Sequence, residues 1–155
     1  MSAFGKAGEN SFVVLQIANR RVALQAEIVA ELAPPVRLHI FPHTSRHLTG
    51  VIVRRGRIVP VYDAGSVLSA RTSSAQRFYL IARRGAGKTG EWGAIPVNGE
   101  CELVTGRMQR RSAEQPAHIA GTLVFAHESL DVLDFEALVA SNAPSDHSLR
   151  AEAQS

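Results

Sequence analysis

The chain has 155 residues, a net charge of +3 and one cysteine, Cys101. That length suits one domain, or two small lobes sharing a core, and it buries roughly 68–70% of the unfolded surface without staples. A lone cysteine excludes an internal disulfide and a multi-cysteine zinc site, and no apolar run approaches the ~20 residues of a membrane helix, so a soluble cytoplasmic protein is expected.

Residues 1–10 are small and polar, lack a signal-peptide pattern and are expected to be disordered. Ser11 to Ile17 reads as a strand, Ala18-Asn19-Arg20 as a turn and Arg21 to Leu24 as the returning strand. Ala26 to Leu32 then changes period. Ile28, Val29 and Leu32 fall on one helical face, with Glu27 and Glu31 between them, which predicts a short helix. Pro34-Pro35 ends it, because the residue before a proline is pushed out of the α region. Val36 to Thr49 is a long connection. His39, His43 and His47 recur every four residues, a spacing that would align metal ligands on a helix. Pro42 breaks such a helix, so the same residues also read as ordinary loop histidines.

Gly50 to Asp63 carries two β-branched runs around Arg54-Arg55-Gly56-Arg57, the pattern of a β-hairpin with Gly56 in the turn. Gly121 to Asp134 repeats that pattern. Gly50, Val53, Val61 and Asp63 are matched by Gly121, Val124, Val132 and Asp134. Each terminal Asp can cap a short helix, Ala64 to Leu68 in one copy and Phe135 to Ala140 in the other. Between the copies, Ser69 to Ser74 reads as a boundary between lobes, Gln76 to Arg83 and Trp92 to Val97 as strands, and Arg84 to Gly90 as their turn. Pro96 points to an edge strand or a bulge. Cys101 to Val104 is a short apolar piece, Gly106 to His118 reads as loop, and Ser141 to Ser155 as a mobile tail. Short strands at close spacing with little helix predict small β-barrels.

Little in this pattern is catalytic. Gly85-Ala-Gly-Lys-Thr89 resembles part of a phosphate loop, but the required earlier glycine is Ala82 and a strand, not a helix, follows. Cys101 could act as a nucleophile with His118 or His127, yet a cysteine in an apolar segment also reads as a small core residue. No Gly-x-Ser-x-Gly elbow and no paired carboxylates are present. Trp92 sits in an apolar strand and reads as core. Of the seventeen basic residues fifteen are arginine, which favours planar contact with carboxylate or phosphate. Three of them, Arg54, Arg55 and Arg57, crowd one hairpin tip. An anionic partner would relieve their repulsion; a solvated turn is the plain alternative.

The run Gly50-Val-Ile-Val-Arg-Arg-Gly-Arg-Ile-Val-Pro-Val-Tyr-Asp63 resembles the signature of the CheW-like chemotaxis coupling proteins, roughly Gly-Val-x-Asn-Leu-Arg-Gly-x-Ile-Val-Pro-Val-x-Asp. Ile28 to Leu32 resembles that family's Lys-Val-x-Glu-Ile segment. Trp92 to Gly99, Ile119 to Gly121 and Leu130 to Asp134 resemble its later strands in the right order. The resemblance covers about residues 11 to 140.

It implies a mainly β fold of two packed five-stranded SH3-like barrels, divided at about 11–68 and 75–134 with a closing helix at 135–140. It also implies a non-enzymatic adaptor that needs no cofactor or metal. Its partners would be the regulatory domain of a CheA-like histidine kinase and the cytoplasmic tip of a chemoreceptor, at the inner face of the membrane but not inserted in it. By position, Arg55 matches the signature arginine, Val29 and Glu31 match positions implicated in receptor contact, Gly50 and Gly56 match backbone-critical glycines, and Asp63 matches the acid that closes the second strand. Val53 replaces the usual Asn and Arg54 the usual Leu, which alters the partner surface. The alternative from another class is a basic β-barrel module that binds nucleic acid; scattered aromatics speak against a stacking platform.

Overall fold

The computed structural model describes residues 9–17, 19–42, 48–67, 78–84, 91–99 and 101–140. The boundary at 69–74, the Lys88 loop, His43, His47, Leu68, residues 1–8 and the tail from 141 lie outside them.

Among the described residues, ten strands form two sheets of five. The strands are β1 (Glu9–Ile17), β2 (Arg20–Gln25), β3 (Val29–Ala33), β4 (Leu48–Arg54), β5 (Arg57–Tyr62), β6 (Phe78–Arg83), β7 (Trp92–Val97), β8 (Glu102–Arg110), β9 (Ile119–Phe125) and β10 (Glu128–Leu133). Two short helices follow the hairpins, α1 (Ala64–Val67) after β5 and α2 (Phe135–Ala140) after β10. One sheet closes into a barrel in the order β1-β2-β10-β9-β8, here lobe A. The other runs β3-β6-β7-β5-β4, here lobe B.

The two lobes follow one plan. β4–β5 and β9–β10 are the predicted twin hairpins, each with a two-residue turn. Arg55 and Gly56 have φ of 54° and 75°, and Ala126 and His127 have 46° and 67°. Positive φ at both central positions is what a type I′ turn demands. Val61 pairs in parallel with Ala94 of β7, and Val132 pairs in parallel with Ala23 of β2. Matched residues thus hold matched places. After β10, the Asp134 carboxylate accepts from the Ala137 N–H at 3.0 Å and caps α2 as expected.

This plan corrects the division at 11–68 and 75–134. The hairpin β1–β2 belongs to lobe A, beside strands that lie a hundred residues later, and β6–β7 belongs to lobe B. In chain order lobe B is complete from β3 to β7. Lobe A takes its last two strands from the N-terminus. Alternation along the strands explains the packing. Phe12, Val14 and Ala23 point into the lobe A barrel with Leu123 and Val132. The intervening Leu15, Ile17, Val22 and Leu24 meet Leu80, Ile95 and Val97 of lobe B between the lobes. Ile52, Val59, Val61, Ile81 and Ala94 fill lobe B itself.

Four local expectations are also corrected. Residues 26–32 are not a helix: a 3-10 turn over Ala26–Ile28 leads into β3. β-branched Ile28 and Val29 favour extended backbone, and β6 supplies a partner for it, so pairing overrides a short 3.6-residue pattern. Gly106 is not loop, and the apolar piece at 101–104 is the start of β8, whose outward residues are Leu103, Thr105, Arg107 and Gln109. Polar residues facing water hid its alternation. Pro96 is not at an edge, since β7 lies between β6 and β5. Arg84 N–H donates to the Glu91 carbonyl at 2.9 Å, so alternation makes Tyr79–Pro96 a non-bonded pair. The missing N–H of Pro96 faces the side where β5 has ended at Tyr62. Finally, β1 begins at Glu9, and Asn10 pairs with Gly106.

Candidate functional site

Of the site residues named from the sequence, Glu31, Val53, Arg54 and Arg55 come together at the tip of the β4–β5 hairpin. Glu31 of β3 places one carboxylate oxygen against Arg54 Nη2 at 2.8 Å and Nε at 3.2 Å, and the other against Arg55 Nε at 3.0 Å. Arg55 reaches it from the turn, where its backbone is left-handed. The Arg54 guanidinium is the main reason the Glu31 carboxyl sits below its ordinary range; partial burial opposes this, and Arg55 adds to it. Arg57 lies 4.0 Å over the Trp92 ring, a cation–π contact. The crowding of three arginines at one turn is therefore relieved within the chain: two share Glu31 and one rests on Trp92. The sequence had shown the repulsion but not this internal remedy.

Arg55 still presents a side chain that is 66% exposed, against 25% for Arg54 and 17% for Glu31. Beside it, Val53 and Ile58 stand directly opposite each other across the ladder, 52% and 72% exposed. The outward face of this hairpin is an apolar pair next to an open guanidinium. Val29 lies on β3 two residues before Glu31, half-buried against the core between the lobes. Ile58 was missed; counting registers outward from a two-residue turn pairs it with Val53 and would have found it.

The remaining named residues are structural. Gly56 supplies positive φ in the turn. Gly50 lies under the chain segment after β3, where a β-carbon would stand 2.5 Å from the His39 carbonyl oxygen. Gly121, its match, would place one 2.2 Å from the Gln109 carbonyl oxygen. Asp63 precedes α1 as Asp134 precedes α2.

Among the described residues, the other candidate chemistries find no assembled site. Burial pushes the Cys101 thiol up from its ordinary pKa, opposite to what a nucleophile needs, and its side chain packs against the inter-lobe core. His39 is exposed, and among the described residues no group of three potential ligands could hold a metal. Several arginines face carboxylates: Arg20 pairs with Asp131, and Arg21 with Glu128 and, at 3.4 Å, with Glu102. Among the described residues no helix is long and apolar enough to cross a membrane.

Two five-stranded sheets, one of them closed as a barrel, carry twin hairpins, one with a paired arginine tip. The CheW-like domain family matches residues 11–143, and the chain belongs to that family. Among solved structures it is similar to the scaffolding protein TtCheW from Thermoanaerobacter tengcongensis, with a TM-score of 0.71 and 19% identity over 83% of this chain and 91% of that one. No curated protein matches the sequence.

Proposed function

We propose that this protein is a non-enzymatic adaptor that couples a chemoreceptor to a CheA-like histidine kinase, with the β4–β5 hairpin tip as one partner-binding face. Family membership supports the adaptor role, and the tip supports the face. The observation that carries it is Arg55, whose side chain is held by Glu31 at one nitrogen while most of it remains exposed beside Val53 and Ile58. A fixed guanidinium next to an apolar pair is the composition of an interface hot spot. The kinase's regulatory domain and the receptor tip are the partners the family implies, and recruitment to the inner membrane face would follow from receptor binding.

Calorimetric titration with the kinase's regulatory domain tests this. Arg55→Ala is expected to weaken binding by about 1–3 kcal/mol. Its melting temperature should stay close to that of the parent, since an exposed pair contributes little to folding. No binding by the parent chain would refute the adaptor reading. A melting-temperature loss as large as the binding loss would show Arg55 to be structural.

A further inference from the structure

Building on the adaptor reading of the hairpin tip, we propose that the two Nη nitrogens of Arg55 receive an acidic side chain of the partner protein, and that an aliphatic residue beside that acid seats on Val53 and Ile58. The charge balance at the tip points to an acid. Arg54 and Arg55 share the single carboxylate of Glu31, and among the described residues neither pairs with any other acid. Sharing relieves the crowding of the two guanidinium groups. It still sets one negative charge against two positive ones, so one positive charge has no counter-ion. A second carboxylate would give each arginine its own acid.

The hydrogen bonds show where that acid fits. Arg54 grips one Glu31 oxygen with both Nη2 and Nε, so only the other oxygen is left for Arg55, which donates to it through Nε. Glu31 therefore cannot also engage the far end of Arg55. Among the described residues no acceptor lies within hydrogen-bond distance of Arg55 Nη1 or Nη2. These two nitrogens form the planar fork that matches a carboxylate with two parallel N–H···O bonds. Anchoring at Nε limits the rotamers of the side chain before the partner arrives, which lowers the entropy lost on binding. The neighbours choose the kind of anion. Val53 and Ile58, paired across the ladder and exposed, offer no polar side-chain group to a phosphate chain. They do offer apolar surface for an aliphatic side chain to cover, so a protein acid with such a neighbour fits the face better than a nucleic-acid backbone.

A double-mutant cycle by calorimetric titration tests this. The full chain, Arg55→Ala and Arg55→Lys are titrated with the kinase's regulatory domain and with the receptor tip. The partner whose affinity Arg55→Ala lowers is then scanned, each exposed Asp changed to Asn and each exposed Glu to Gln. One such change is expected to weaken binding to the parent chain by about 10-fold or more, and binding to Arg55→Ala by less than about twofold. Arg55→Lys is expected to lose nearly as much affinity as Arg55→Ala, because one ammonium cannot hold Glu31 and present a planar fork as well. If Arg55→Ala weakens binding but no acid of the partner is coupled to it, the inference is overturned while the hairpin tip stands as a partner face. Full binding by Arg55→Lys overturns it too, since charge alone would then suffice, and so does binding of generic DNA that depends on Arg55. An Arg55→Ala variant that binds both partners as the parent does refutes the partner face, and this inference with it.

Discussion

Alanine at the two matched glycines should have very different consequences. At Gly50 the new methyl would press on the His39 carbonyl oxygen at 2.5 Å, and at Gly121 on the Gln109 carbonyl oxygen at 2.2 Å. Neither glycine has a positive φ, so alanine's own backbone preference is not the obstacle. What differs is whether the opposing chain can retreat. His39 pairs with Val51 of β4 through two backbone hydrogen bonds, worth about 1 kcal/mol each in net terms. Losing both, and gaining about 0.4–1 kcal/mol from a stiffer unfolded chain, leaves Gly50→Ala destabilised by about 1–2 kcal/mol. Gln109 belongs to β8 and pairs with Thr122 of β9, within a strand that β1 also holds from Glu102 to Arg107. Moving it breaks ladder bonds and disturbs Met108 and Leu123 at the lobe A core, for about 3–5 kcal/mol. A domain of this size shifts by roughly 2–4 °C per kcal/mol. Thermal and urea unfolding should therefore place Gly50→Ala roughly 2–8 °C below the parent, and Gly121→Ala roughly 6–20 °C below. Equal losses at the two positions would refute the claim that the lobes differ in how their seams are held.

Three further outcomes follow from burial and charge. The Glu31 pKa is depressed in the fold, so its contribution is present above the ordinary value of 4.5 and is lost as pH falls through the folded value. Glu31→Gln should flatten the stability–pH curve between pH 5 and the acid limit, as read by urea midpoints. Burial, and then Arg20, hold the His118 pKa below its ordinary 6.5, while Asp131 pulls the other way. The folded state thus binds fewer protons at His118, so its contribution is complete above pH 6.5 and declines as pH drops through that value towards the lower folded one. His118→Gln should reduce that slope in the same titration. Leu80 is fully buried between the lobes, and Leu80→Ala should cost about 2–5 kcal/mol by chemical denaturation, with the lower figure if the lobes settle together.

Local signals in the sequence reached further than long-range ones. The hairpins were legible because β-branched runs around a glycine turn fix both strand and register. The repeat was legible because Gly50 and Gly121 face the same steric demand. β8 was not, because Thr105, Arg107 and Gln109 face water and leave only every second position as a weak apolar trace. The helix expected at 26–32 failed because β6, about fifty residues away, decides the conformation of β3. The site residues Arg54, Arg55 and Glu31 could be named from the family's signature. Their mutual contact could not, since it depends on β3 and β4 meeting across a seam that no local pattern describes.

The placement of β1 and β2 has a consequence for biosynthesis. The β1–β2 hairpin is translated before all of lobe B, yet the strands that flank it, β8 and β10, are translated after lobe B. At about 5–20 residues per second, roughly 5–20 seconds separate β2 from β10. Lobe B needs nothing from beyond residue 97 for its own pairing and can be complete while the ribosome is still at work. During that interval Phe12 and Val14 have no interior to enter. The β1–β2 hairpin is thus made before lobe B yet finds its own sheet only after lobe B can be complete.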